Sequence, residues 1–115
     1  MKLSEIVQHI QIDDRKLTEY ALNEDHPKGR HKARRFRESL GFTIENFHDL
    51  KKKIEEKVLE AETVAGGKDK HGQRYTADIL IMGANEKESI VRTGWIVAPN
   101  ASQAQLTTLF VRSET

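Results

Sequence analysis

A basic segment at residues 26–32 combines residue types that can hold a phosphate. Its proline favours the first position of a helix, where unpaired backbone N–H groups and the positive end of the helix dipole attract anions. Gly29 allows a close approach, and Lys28 and Lys32 can both reach the bound group. His26 is of the residue type most often used as a general acid or base, and it could act in that way beside the phosphate. The alternative is a capped helix start with a hydrogen-bonded histidine.

A second group of candidate residues lies near the C-terminus, around Arg92-Thr93-Gly94-Trp95. In a strand, Arg92 and Gly94 share one face, and an arginine there is costly to bury unless it is paired or faces a pocket. Gly94 leaves room for a ligand, and the hydroxyl of Thr108 can donate a hydrogen bond to a phosphate oxygen. The alternatives are an ion pair of Arg92 with Asp78, a tryptophan that belongs to the core, and threonines that serve only as strand formers.

Charge is unevenly distributed along the chain. The 115 residues include 19 Lys and Arg against 18 Asp and Glu, but residues 26–37 hold six of the basic residues and no acidic one. Within this segment, Lys28, Lys32 and Arg35 lie three or four positions apart, so a helix would cluster their charges. A compact basic patch on a mildly acidic body predicts an anion-binding surface, for which Lys28, Gly29 and Arg35 are the binding candidates. The alternative is an ordinary solvated helix face.

The elements that must position these residues form a helical half followed by a strand half. Apolar residues at helical spacing predict helices over 3–10, after Asp13 and Asp14, from Pro27 to a left-handed stop at Gly41, and from a cap at Thr43 to about residue 61. Residues 10–12 could instead be extended. Alternating patterns predict strands at 62–65, 73–82, 89–97 and 105–112, and residues 65–72 look flexible.

Short connections between these strands favour antiparallel neighbours. The sequence therefore predicts an α+β fold in which N-terminal helices pack on a C-terminal four-stranded antiparallel sheet. The length suits one domain at 1–115, with the helical half at about 1–61 and the sheet at about 62–113.

Several chemistries are disfavoured by what the sequence lacks. There is no cysteine, the histidines show no H-x-x-x-H spacing, and phosphate-loop, dinucleotide and nucleophile-elbow motifs are missing. We therefore expect no metal and no cofactor. There is no long apolar run, and the N-terminus is too polar for a signal peptide, so we expect a cytoplasmic protein with no membrane partner.

Several motifs resemble a bacterial domain family whose function is not established. The matching segments, which lie between about 14 and 112, are Lys16–Asn23, His26-Pro27-Lys28-Gly29, Lys32-Ala33-x-x-Phe36, Leu40–Thr43, Arg92–Ile96 and Leu106-Thr107-Thr108. Such domains occur as small stand-alone proteins and at the C-terminal ends of secreted contact-dependent toxins. The order of helices followed by an antiparallel sheet is similar to the barnase–RelE-like ribonuclease superfold.

The resemblance implies a small, toxin-like, metal-independent endoribonuclease that cleaves RNA by attack of a ribose 2′-hydroxyl on the neighbouring phosphate. Carried over by position, His26 would be the acid or base, Lys28, Lys32 and Arg92 would hold the phosphate, and Thr108 would orient an oxygen. No counterpart of the catalytic glutamate of barnase is evident. The implied partners are RNA and an antitoxin or immunity protein.

Two other functions remain open from the sequence. The basic helix at 26–37 could belong to a non-catalytic module that binds nucleic acid or a protein. The chain could also be a structural protein that forms a homodimer or binds another partner through strand 105–112, taken as a free sheet edge.

Overall fold

The computed structural model describes residues 1–112. Within that range the strands are β1 His9–Gln11, β2 Thr63–Asp69, β3 Gly72–Met82, β4 Glu88–Val97 and β5 Gln103–Val111. The α-helices are α1 Arg30–Leu40 and α2 Phe47–Lys57. Short 3-10 turns occupy Leu3–Glu5, Ile44–Asn46 and Val58–Glu60, and Lys16–Ala21 forms a π-helical segment.

The strands form one sheet in the order β1-β5-β4-β3-β2. Strands β2 to β5 are antiparallel neighbours, whereas β1 runs parallel to β5. The α+β class is therefore confirmed, but the prediction of a four-stranded antiparallel sheet is wrong in strand number and in one pairing. His9–Gln11 pairs with residues at the other end of the chain, and local sequence periodicity contains no signal for such a contact.

Strand β1 overturns one further expectation and limits another. The N-terminal half is not wholly helical, because the helix predicted over 3–10 is one 3-10 turn followed by this strand. On the outer side of β5, β1 pairs with Gln103–Gln105, so of the strand predicted at 105–112 only Gln105 has a strand neighbour on that side. The edge strands are β1 and β2.

The two α-helices form where the apolar spacing predicts them. A turn precedes α1, which begins at Arg30 rather than at Pro27. Gly41 ends α1 in the left-handed conformation, with φ of 71°, as predicted. Thr43 caps the helical stretch that leads into α2, and the side chain of Asn46 accepts the backbone N–H of Thr43 in return.

The segment at 65–72 is ordered into a hairpin. It forms most of β2 and the tight turn into β3, with an irregularity in register between Ala65 and Lys68. The glycines at this irregularity gave the segment its flexible appearance in the sequence. A bulge of this kind makes a sheet edge less suited to pairing with another chain.

The core lies between one face of the sheet and the helices. Helix α1 packs against β4 and β5, and α2 packs against β3. Trp95 is completely buried, as predicted. Beside it, the hydroxyl of Thr93 donates to the Ala77 carbonyl at 2.7 Å and accepts the indole N–H of Trp95 at 2.8 Å. This buried chain of hydrogen bonds satisfies the polar atoms of both side chains.

Among residues 1–112, no helix is both long and apolar enough to cross a membrane.

Candidate functional site

His26 closes the turn that leads into α1. Its Nδ1 accepts the backbone N–H groups of Lys28 at 3.0 Å and Gly29 at 2.9 Å. A nitrogen that accepts hydrogen bonds bears no proton, so the neutral ring has its proton on Nε2. In this arrangement His26 can donate a hydrogen bond from Nε2, but it cannot take up a proton there.

Gly29 brings two helical segments together. A Cβ at this position would lie 3.0 Å from the carbonyl oxygen of Tyr20. The space left by the missing side chain is therefore used by the backbone of the π-helical segment Lys16–Ala21. The ring of Tyr20 lies against the ring of His26, with centroids 4.4 Å apart. The close approach of a ligand at Gly29 remains a prediction.

A cleft of about 310 Å³ opens beside these residues. It lies between the π-helical segment, α1 and β5, beyond the point where β1 stops pairing with β5. The lining residues are Lys16, Tyr20, Ala21, Lys32, Thr107, Thr108 and Leu109. Two predicted site residues, Lys32 and Thr108, line this cleft, whereas Lys28, Gly29 and Arg35 do not. His26 does not line it either and adjoins it only through its contact with Tyr20.

A bulge in β5 places two threonines at the cleft. Gly94 faces Thr108 and Trp95 faces Leu106, so Thr107 is one residue more than β4 can pair. A Cβ on Gly94 would lie 2.9 Å from Cγ2 of Thr108 and 3.1 Å from Oγ1 of Thr107. Both threonine side chains therefore occupy the space above Gly94, and both reach the cleft.

Arg92 lies outside the cleft, on the sheet face opposite the helices. Its guanidinium donates two hydrogen bonds to Asp78, at 2.8 and 3.0 Å, and Arg112 adds a third at 3.0 Å. The hydrogen bond from Arg92 lowers the pKa of Asp78 below its ordinary value, although partial burial opposes the shift. The ion pair between Arg92 and Asp78, which was the alternative to a ligand-binding role for Arg92, is therefore present.

Phe110 connects the cleft with this charged cluster. It is the cross-strand neighbour of Arg92, and Nζ of Lys32 lies 5.1 Å from the centre of its ring. A cation at this distance is attracted by the electrons of the ring. Asp78 neutralises the charge of one of its two arginine partners. A band of side chains, formed by Lys32, Phe110, Arg92, Asp78 and Arg112, therefore keeps a net positive charge.

Three lining residues, Lys16, Tyr20 and Thr107, were not among the site residues predicted from the sequence. Tyr20 falls in the helix predicted after Asp13 and Asp14, and in the structure it is 45% exposed. An aromatic residue four positions after a lysine was the available signal for the first two. Nothing in the strand pattern signals Thr107, because strict alternation places it on the face opposite Thr108.

The fold defines a two-layer α+β domain with a mixed sheet and a cationic cleft at the outer side of β5. The chain belongs to the family described as "Domain of unknown function (DUF6883)", which matches residues 2–113. No curated protein matches it.

A solved structure has a similar fold. It is a contact-dependent growth inhibition toxin–immunity protein complex from Klebsiella pneumoniae 342, and the similarity has a TM-score of 0.66. The match covers 88% of this chain and 98% of the other chain, at 15% sequence identity. At that identity the similarity establishes the fold and leaves the activity to be argued from the residues.

Proposed function

We propose that this protein is a small, toxin-type, metal-independent endoribonuclease whose active site is the cleft between the π-helical segment, α1 and β5. The observation that best supports the proposal is that two lysines and two threonines, Lys16, Lys32, Thr107 and Thr108, line one cleft. These groups can hold the non-bridging oxygens of a phosphodiester. The ribose 2′-oxygen bonds to phosphorus as the bond from phosphorus to the 5′-oxygen breaks; water accepts the proton of the 2′-hydroxyl and supplies one to the departing 5′-oxygen. Negative charge develops on the non-bridging oxygens, and fixed cations and donors stabilise that charge.

In this mechanism Lys16 and Lys32 stabilise the phosphorane, and the threonine hydroxyls orient its oxygens. Arg92 supplies positive potential through the band that Phe110 connects to Lys32. His26 donates a hydrogen bond from Nε2 to the phosphate or the leaving oxygen. An acid–base role for His26 requires its Nδ1 to release the N–H groups of Lys28 and Gly29 when substrate binds.

The similar fold in a toxin–immunity complex supports a place for this chain in a toxin system. We accordingly propose an antitoxin or immunity protein as a partner, one that would neutralise the activity by covering the cationic cleft. A partner with an acidic surface suits the charge of this site.

The first prediction concerns cleavage of RNA. Wild-type protein incubated with labelled total RNA in EDTA should leave 2′,3′-cyclic phosphate ends, and Lys32→Ala should lower the rate by at least about 100-fold. Replacing Thr108 by valine should lower the rate less. Lys52→Ala, on the exposed surface of α2, is the matched control and should cleave like the wild type.

His26 needs a pair of variants. In His26→Ala both the ring and its acceptor are lost, whereas in His26→Asn a side-chain oxygen can still accept the N–H groups of the turn. If Nε2 acts on the substrate, both variants lose cleavage while His26→Asn keeps wild-type stability. Intact RNA with wild-type protein, or equal cleavage by all the variants, would end the ribonuclease proposal.

A second candidate function is a non-catalytic module that binds nucleic acid or a protein through residues 26–37. This function is favoured because two predicted catalytic groups already form hydrogen bonds inside the protein. They are Nδ1 of His26 and the guanidinium of Arg92. The exposed cations Lys28, Arg30 and Arg34 lie outside the cleft. Such a module would bind RNA with strong salt dependence and leave it uncut.

A further inference from the structure

An open groove runs along the π-helical segment and extends the cleft past Lys16. Two further depressions adjoin it, of about 230 and 160 Å³. Lys16 lines all three, and Tyr20 lines both the cleft and the larger of the two depressions. At the far end the groove reaches Gln11 and Gln105. Its continuity suits an extended strand of several units better than a single small ligand.

Tyr20 presents an aromatic surface where the cleft meets the larger of the two depressions. One side of its ring lies against His26, yet 45% of the residue remains exposed. The contact with His26 restricts the ring, which reduces the entropy lost when a ligand stacks on it. Aromatic side chains beside backbone-binding cations are the usual means by which proteins hold unstacked bases.

The charges along the groove fit a phosphate backbone. Lys16 and Lys32 line the cleft that Tyr20 also lines. Asp13, which lines the two adjoining depressions, is paired with Arg15 at 2.8 Å. Glu19 also lines one of them, so that end is less basic than the end at Lys32.

We propose that this groove binds single-stranded RNA, with one base stacked on Tyr20 and the flanking phosphates beside Lys16 and Lys32. The inference rests on the proposed function, in that the cleft is taken as a site for RNA, and it specifies the substrate as single-stranded. A base inside a duplex is stacked on its neighbours, so it cannot lie against Tyr20 without leaving the helix.

The test uses a short 2′-O-methyl oligoribonucleotide that contains 2-aminopurine. It has no free 2′-hydroxyl to attack, so it stays intact, and the fluorescence of 2-aminopurine falls when the base stacks. Wild-type protein should bind the single strand, quench its fluorescence, and bind the same sequence in a duplex at least about 10-fold more weakly. Replacing Tyr20 by leucine should weaken single-strand binding by about 10-fold and abolish the quenching.

Two further variants keep the test decisive if Tyr20→Leu does not fold. Tyr20→Trp retains an aromatic face and should keep both affinity and quenching, while Lys16→Gln should weaken binding and reduce its salt dependence. Tyr75→Leu replaces the chain's other tyrosine, outside the groove, and should bind like the wild type.

Equal binding of duplex and single strand, or full quenching by a folded Tyr20→Leu variant, would overturn the inference while leaving RNA cleavage untouched. Unchanged affinity in Lys16→Gln would also overturn it. The converse result, binding that depends on Tyr20 by a protein that cuts no RNA, would support the groove and remove the ribonuclease proposal.

Discussion

Single residues in the segment Arg92-Thr93-Gly94-Trp95 alternate between the two faces of β4. Arg92 pairs with Asp78 on the open face, while Thr93 and Trp95 share a hydrogen bond in the core. Gly94 lies on the open face, where its missing side chain leaves room for Thr107 and Thr108 of β5. This segment, which looked catalytic in the sequence, is therefore explained largely by packing and hydrogen bonding. In the proposed mechanism its only contribution to the phosphate site is the positive charge of Arg92 beside Phe110.

At the residue scale we predict an acid-dependent loss of stability at Asp78. Arg92 holds the pKa of Asp78 below its ordinary value of 3.8 in the folded protein. The ionised pair therefore stabilises the fold above the pKa of the unfolded chain, about 4, and this contribution is lost as pH falls through the folded pKa. Both side chains are partly exposed, so the contribution should be about 1 kcal/mol.

The measurement is urea unfolding of wild type and Asp78→Asn at pH 6 and pH 3. At pH 6 the variant should be the less stable protein, and at pH 3 the difference between the two should shrink. A constant difference at both pH values would show that the charge of Asp78 does not contribute. Asp69→Asn, in the hairpin turn, controls for the general effect of removing a carboxylate.

At the scale of elements, the bulge in β5 decides which side chains reach the cleft. The extra residue reverses the alternation of β5, so Leu106 and Leu109 both point into the core although they are an odd number of positions apart. The same reversal brings Thr107 and Thr108 together. Bulges are frequent beside functional sites because they redirect side chains in this way.

We predict that Gly94 and Thr108 are energetically coupled across this bulge. A Cβ on Gly94 would crowd Cγ2 of Thr108, so Gly94→Ala should lower the free energy of unfolding by about 1 kcal/mol. Thr108→Ser removes that methyl group and keeps the hydroxyl. The double variant should therefore recover at least about 0.5 kcal/mol relative to additivity in urea unfolding. Additive effects on the free energy of unfolding would show that the side chain of Thr108 moves away from the new Cβ without destabilising the protein.

At the scale of the whole molecule, the N-terminal segment completes both the sheet and the core. β1 supplies the parallel pairing with β5, and Leu3, Val7 and Ile12 are buried around it. Burial of each such side chain contributes about 1.5–3 kcal/mol, against a typical total stability of about 5–15 kcal/mol for a domain. The segment is thus a substantial part of the stability of the fold.

We therefore predict that removal of residues 1–12 abolishes cooperative folding. Circular dichroism during thermal unfolding should show no sharp transition in the truncated chain. The point variant Leu3→Ala should still fold, with a stability lower by about 2–5 kcal/mol. A truncated chain that unfolds at the wild-type midpoint would show that the sheet is stable without β1.

Much of the fold follows from local sequence. The spacing of Phe36 and Leu40, the left-handed stop at Gly41 and the cap at Thr43 define the two helices, because each depends on residues within a few positions. Alternation likewise predicts β3, β4 and β5 to within a few residues. The candidate site is also partly local, since Lys32 and Thr108 were identified from charge, position and resemblance and do meet in one cleft.

The remaining features of the fold and of the candidate site depend on contacts between distant parts of the chain, so only the tertiary structure decided them. The parallel strand β1 exists through its pairing with Gln103–Gln105, and three residues of local pattern cannot specify that partner. The position of Thr107 depends on a bulge, which shifts the register of β5 against β4. Tyr20 and Lys16 enter the site because Gly29 lets the π-helical segment approach α1. The sequence alone determined which groups could bind a phosphate, and packing determined which of them share a cleft.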